Sequence, residues 1–429
     1  MNKMGCWDSI YPSPINVVGK GLFYRRKTTM KKKIISLLLA GVMALSMVAC
    51  GGAKEEAPAA SGEVTETTEA IDMKVAMITD SGDITDQSFN QTTYEACKAW
   101  AEANGVEFNY YKPESDADES RNASVDQAVA DGANVIVMPG YMFAATVVAQ
   151  SDMYPDVKFV ALDVSAGDIC EKGVGEGYDY NPDNWDVTEY YNTDNVYCCT
   201  YQEELSGYMA GYGTVKLGYK HLGFLGGMNV PAVTRFGYGF VQGADAAAKE
   251  LGIENEVAVE YVCGGQFYGD ADITAYMDTW YSEKGVEVVF ACGGGIYTSA
   301  AEAAVKVGGK VIGVDSDQSF VINEFQEDLT VTSAMKGLAT TVNTLLTEIK
   351  AGNWNNYTGK IDNLGLVSEV AEENFVQLPI ETTQFGEGFT EDDYRALVKS
   401  MFNGEVEVSN DITTMPVTTI TVSDYGSIK

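Results

Sequence analysis

Along this chain, short apolar runs alternate with longer stretches that carry helical spacing. KVAMITD (residues 74–80) precedes an amphipathic stretch over 88–104, then VEFNYYK, a helix over 122–131, NVIVMPG, a third helical stretch and KFVALD. Alternation of β-branched runs with segments of 3.6-residue period predicts βαβ units, and hence a parallel sheet. A second series starts at HLGFLGG (221–227) and continues through EVAVEYVCGG, EVVFACGGG and KVIGVDSD. VIVM and VVFA are apolar without interruption, as strands covered on both faces must be. The expected architecture is α/β, with two doubly wound parallel-sheet lobes in tandem joined by a multi-strand hinge.

The pattern assigns residues 72–196 to the first lobe, with 316–355 returning to it, and 197–315 to the second, with 356–429 packing on it. Crossings are expected near 195–200, 315–320 and 354–366. EDDYRALVKSMFNGE reads as one amphipathic helix with Tyr394, Leu397, Val398 and Phe402 on a single face. Residues 165–192 form a long acidic and aromatic insertion, read either as a cover or partner contact near the cleft or as a decorated surface loop.

Each apolar run ends in Gly, Asp or Pro, so polar and turn residues gather at the carboxyl ends of the strands, where open α/β sheets bind ligands. The first lobe offers Asp80, Asp83, Asp86, Phe89, Asn90 and Asp163; the second offers Phe236, glycines 293 to 295, Asp315 and Asp317. Carboxylates and amides suit the hydroxyls of a sugar and the N–H groups of a base, and aromatic rings suit a flat heterocycle. A single Asp in such a place is as readily a turn cap. Recurrence across both lobes is what points to a site for a small polar solute.

Upstream of the lobes, Met30-Lys31-Lys32-Lys33 opens an apolar run over 34–48 that closes in Val48-Ala49-Cys50. About fifteen apolar residues fall short of the roughly twenty that span a bilayer, so 30–49 reads as a signal peptide. The Ala-Cys-Gly-Gly ending resembles the lipobox of bacterial lipoproteins, with Met47 where Leu is usual, and implies lipidation of Cys50. Residues 1–29 have no periodicity and precede a good start at Met30, so they are read as lying before the true start. Residues 50–71, rich in Ala, Glu, Thr, Gly and Ser, read as a flexible tether. Lipid, tether and globular body would hold the protein at the extracytoplasmic face of the cell membrane.

Charge narrows the possible partners. Lys and Arg number 28 against 62 Asp and Glu, a net charge of −34, which argues against nucleic acid as a partner. The mature chain has Cys97, Cys170, Cys198, Cys199, Cys263 and Cys292, with no CxxC pair and no metal-ligand spacing. They read as buried thiols, with a disulfide at Cys170 as the alternative. No metal and no cofactor are expected.

ITDSGDITDQSFNQ (78–91), FLGGMNVPAVTRFGYGFVQGA, GVDSDQ and TSAMKG (332–337) resemble, in order, the motifs of the basic membrane protein family of lipoproteins, whose members include purine-nucleoside-binding proteins. The resemblance spans about residues 74–345. It implies a type I periplasmic-binding fold, capture of a purine nucleoside between the lobes, and delivery to an ABC permease and its ATPase; the protein itself is expected to be a monomer. Carried over by residue, it implies a purine stacked between Phe89 and Phe236, with Asp80 and Asn90 reading base or ribose. Asp163, Asp315 and Lys336 would hold the ribose hydroxyls, with the Gly293-Gly294 backbone closing over them. Lys336, alone in the otherwise uncharged TSAMKGLATT, reads by itself as a solvated helix residue, and with the resemblance as a partner for Asp315 that would hold it ionised. Ile296-Tyr297-Thr298 departs from the family's small continuation and loosens the ligand assignment.

Two other classes compete with this reading. The aspartates of TDSGDITD resemble the Asp-rich opening of nucleoside hydrolases, but their spacing does not suit a cation that needs six to eight oxygens. His221 is the only histidine in the chain, so acid–base chemistry of the usual kind has little to work with and no catalytic residue is assigned. A ligand-sensing receptor is the other alternative, although no helix-turn-helix or signalling segment is legible.

Overall fold

The computed structural model describes residues 72–429, residue 81 apart. Elements are numbered in chain order. The first βαβ series gives β1 (Lys74–Ile78), β2 (Glu107–Tyr111), β3 (Val135–Pro139), β4 (Lys158–Leu162) and β5 (Val196–Tyr201). The second gives β6 (His221–Gly226), β7 (Ala258–Cys263), β8 (Val288–Cys292), β9 (Lys310–Asp315) and β10 (Thr330–Lys336). Three late strands, β11 (Ile361–Leu364), β12 (Val376–Gln377) and β13 (Thr421–Ser427), complete two sheets ordered β11-β5-β4-β3-β1-β2 and β12-β10-β9-β8-β6-β7-β13. Every pairing is parallel except that of β12 with β10. The first five strands of each series take the same spatial order, so the strand-end residues of the two sheets occupy corresponding places.

Helices α1 (Phe89–Asn104), α2 (Asp118–Ala130), α3 (Ala144–Gln150) and α4 (Ala166–Val174) belong to the first lobe. The second carries α5 (Glu203–Lys216), α6 (Pro231–Leu251), α7 (Ala271–Thr279), α8 (Tyr297–Ala304) and the one-turn α9 (Ser319–Ile322). Helix α10 (Leu338–Lys350) returns to the first lobe, where Leu338, Val342, Leu345 and Leu346 share a core with Cys97 and Trp100 of α1. Helix α11 (Glu391–Phe402) joins the second lobe's core through Tyr394, Leu397, Val398 and Met401. Phe402, expected on that face, is 40% exposed. The 3.6-residue period carries the stripe from Leu397 and Val398 to Met401, and Phe402 falls one position beyond it.

The lobe boundaries differ from the sequence expectation. The chain crosses between β5 and α5, between β10 and α10, and between β11 and β12. No crossing occurs at 315–320, because Thr330–Lys336 pairs in parallel with β9 and stays in the second lobe. That run, TVTSAMK, is rich in Thr and Ser and does not read as a buried strand, yet it covers the open edge of β9. Likewise β11 adds to β5 of the first sheet rather than packing on the second lobe.

Helices α5 and α6 meet backbone to backbone. A Cβ on Gly207 would lie 2.2 Å from the Phe236 carbonyl oxygen, and one on Gly239 would lie 2.1 Å from that of Glu204. Only glycine permits this approach, and it brings Arg235 and Phe236 against the start of α5. Of the 165–192 insertion, α4 is capped by a reciprocal Ser165–Asp168 box. Only Ser165 and Asp168 of the insertion line the cleft described below, while residues such as Tyr180 are exposed. The cysteines named above, Cys50 apart, are buried and unpaired. Cys50, the signal peptide and the tether lie outside the described residues.

Candidate functional site

A cleft of about 700 Å³ separates the carboxyl ends of the two sheets. All nine residues singled out as ligand contacts line it: Asp80, Phe89, Asn90, Asp163, Phe236, Gly293, Gly294, Asp315 and Lys336. The topology explains the gathering. Asp163 directly follows β4, Asp315 ends β9 and Lys336 ends β10, while Phe89 and Asn90 open α1 just after β1. Asp163 and Asp315 both hold left-handed backbone, with φ of 60° and 65°. Such strain in a non-glycine residue concentrates at functional sites.

Lys336 is the electrostatic centre. Its Nζ lies 2.6 Å from Asp163 Oδ2, 3.3 Å from Glu203 Oε1 and 3.7 Å from Asp315 Oδ1, with 3% of the side chain exposed. The expected pairing with Asp315 is present but long, and the chief partner is Asp163 across the cleft. Asp315 is also gripped by the first lobe, accepting from Ser88 Oγ on its other oxygen at 2.6 Å. The ammonium is also 4.8 Å from the Phe89 ring, 5.5 Å from that of Phe236 and 5.7 Å from that of Tyr201. Its carboxylate neighbours hold the Lys336 ammonium well above its ordinary pKa against the opposing pull of burial. Burial raises Asp163 to about 6, with Lys336 opposing the rise. Asp163 Oδ1 is buried with no hydrogen-bond donor, and Glu203 Oε1 has only the Lys336 ammonium at 3.3 Å. A solute hydroxyl in the cleft would satisfy Asp163 Oδ1, which belongs to a cleft-lining residue.

On the first-lobe wall, one amide serves two acids. Asn90 Nδ2 donates to Asp80 Oδ1 and to Asp86 Oδ2, each at 3.0 Å. Asp80 also accepts from Gly82 N at 2.8 Å, and burial raises its pKa to about 6. Asp86 accepts from the backbone N–H groups of Ser88, Asn90 and Gln91, which makes it the cap of α1. Asp83 pairs with Lys112 at the cleft wall. Asp317, another candidate, does not line the cleft; it accepts from Ser319 N and Thr382 Oγ1 and is a turn cap.

On the second-lobe wall, Phe236 is 1% exposed and meets Phe290 edge to face at 5.9 Å. Gly293 and Gly294 carry φ of 153° and 52°, and a Cβ on Gly294 would sit 2.8 Å from the Phe267 carbonyl oxygen. Phe267, after β7, also lines the cleft, and the strand-end rule applied to CGGQF could have found it. Glu203 had no usable sequence signal, because QEELSG reads as the acidic first turn of a solvated helix. It is fully buried, and its Oε2 accepts from Arg235 Nε at 2.5 Å. Among the described residues no cluster of His, Cys, Asp or Glu is arranged to hold a metal ion, and no helix is long and apolar enough to cross a membrane.

Residues 73–409 match the family described as ABC transporter substrate-binding protein PnrA-like. The chain belongs to this family. Its relatives include the ABC transporter nucleoside-binding protein BmpA of Lactococcus lactis, 25% identical over 76% of this chain and 87% of that one. Basic membrane protein A of Borreliella burgdorferi is 25% identical over 82% of this chain and 88% of its own length. A solute-binding protein of an ABC transporter system from Aeropyrum pernix superposes with a TM-score of 0.57 at 20% identity, covering 79% of this chain and 88% of that one. A second from Conexibacter woesei gives 0.57 at 22%, covering 79% and 99%. These two fix the fold as that of the type I periplasmic-binding proteins. As a member of the PnrA-like family, the chain is a substrate-binding protein of an ABC transporter.

Proposed function

We propose that this PnrA-like protein is a lipid-anchored, extracytoplasmic receptor that captures a purine nucleoside as a monomer and delivers it to an ABC permease and its ATPase. The observation that carries the ligand assignment is the set of groups around Lys336: the Phe89 and Phe236 rings on the cleft wall, and the unsatisfied acceptor Asp163 Oδ1 beside them. A base held against the rings leaves its edge for Asp80 and Asn90, and the ribose hydroxyls for Asp163, Asp315 and Lys336. The name of the Lactococcus relative supports the same class. Because the walls come from different lobes, a bound solute adds contacts to both only when the cleft is shut, which shifts the population towards the closed form. Cys50 would carry the lipid and residues 51–71 the tether.

The test is calorimetry on protein refolded free of copurified ligand, titrated with adenosine, guanosine, inosine and cytidine. Saturable heat with purine nucleosides is expected. No heat with any of the four would overturn the nucleoside reading. Scattering profiles that superimpose with and without saturating ligand would remove the closure mechanism.

A further inference from the structure

Two cations lie deep in the cleft wall, and a single buried carboxylate holds both. Glu203 receives Arg235 Nε on Oε2 at 2.5 Å and sets Oε1 3.3 Å from Lys336 Nζ. Lys336 is further matched by Asp163 and Asp315. Among the groups in direct contact, two cations therefore face three carboxylates, a residual charge of minus one, and Glu204, a buried acid pushed up to about 7, adds only further negative charge nearby. Around it the cleft lining adds Asp80, Asp86, Asp168 and Asp116, the last paired with Arg121, while the remaining lining cation, Lys112, is paired with Asp83. An incoming anion meets no uncompensated positive charge. Arg235 lines the cleft, but its charge is matched by Glu203 from behind.

We infer that Glu203 is a specificity-determining residue: by neutralising Lys336 and Arg235 together, it makes the cleft accept uncharged nucleosides and reject their 5′-monophosphates. The inference rests on the nucleoside reading above and deepens it. Glu203 acts through the two cations rather than by touching the solute, and its placement explains why an acid in the first turn of α5 has no exposure at all. Gln at this position keeps the shape and one acceptor oxygen while removing the charge, so the cluster becomes neutral and Arg235 loses its paired carboxylate.

The experiment measures Kd for adenosine, guanosine and inosine, each beside its own 5′-monophosphate, on the wild-type protein and on Glu203→Gln. Wild type should prefer the nucleoside strongly. In Glu203→Gln the ratio of monophosphate to nucleoside Kd should fall about 10- to 30-fold, the scale of one unit charge about 10 Å away at an effective dielectric of about 20. Monophosphate binding by this variant should weaken as salt rises. The double variant Glu203→Gln/Arg235→Gln restores the residual charge of minus one and should restore the wild-type ratio. Should Glu203→Gln fail to fold, Arg235→Gln alone makes the cluster more negative and should widen the ratio. A ratio unchanged in folded Glu203→Gln, or unchanged in Arg235→Gln, overturns the inference. Wild type that binds no nucleoside overturns instead the reading on which it rests.

Discussion

Asp80 is a carboxylate that the folded protein holds against its own stability. Burial lifts its pKa from 3.8 to about 6, despite the hydrogen bonds from Gly82 and Asn90. Between these two values the folded state binds more protons than the unfolded chain, so this group's contribution to stability falls as pH rises from about 4 to about 6. Complete conversion of that shift would be ~3 kcal/mol, and water at the cleft wall reduces the expected share to about 1–2 kcal/mol. Asp80→Asn keeps an acceptor for Gly82 N and removes the charge. We expect the ligand-free variant to exceed wild type by that 1–2 kcal/mol at pH 7.5 and to lose the advantage at pH 4.5, while its nucleoside affinity drops. Urea denaturation at both pH values, with calorimetry on the same samples, measures each part. A variant less stable than wild type at pH 7.5, or a gain that persists at pH 4.5, would refute the reasoning.

Phe89→Ala should weaken nucleoside binding by about 1–3 kcal/mol with little loss of fold, the usual worth of an aromatic–base stack. Phe236→Ala should weaken binding and also cost about 3–5 kcal/mol of stability, because this ring is buried against Phe290; thermal denaturation beside calorimetry separates the two effects. Lys336→Met strands Asp163, Glu203 and Asp315 without their cation and should cost about 3–5 kcal/mol, part of it recovered by adding Asp163→Asn. Gly294→Ala forces a side chain into left-handed backbone 2.8 Å from the Phe267 carbonyl oxygen, and should weaken binding by roughly tenfold or more as that loop shifts.

Much of the molecule is written in the sequence because strands covered on both faces and amphipathic helices leave local signatures. VIVMP and VVFAC mark β3 and β8 without help from the rest of the chain, and the rule that ligands meet the carboxyl ends of such strands selects Asp163 and Asp315. Asp317 obeys the same rule and is a turn cap away from the cleft, and Asp86 lines the cleft yet spends its oxygens on the start of α1, since sequence cannot tell a carboxylate that meets its own backbone from one left open to a ligand. What only the tertiary structure decided is pairing across long stretches of chain. TVTSAMK becomes a buried strand because β9 needs a neighbour, and that strand carries Lys336 to Asp163, 173 residues away. Glu203 is buried because Gly207 and Gly239 let α5 and α6 touch, which seats Arg235 on it. Propensity and period are local quantities, whereas the partner of a buried charge is set by which backbones can approach one another.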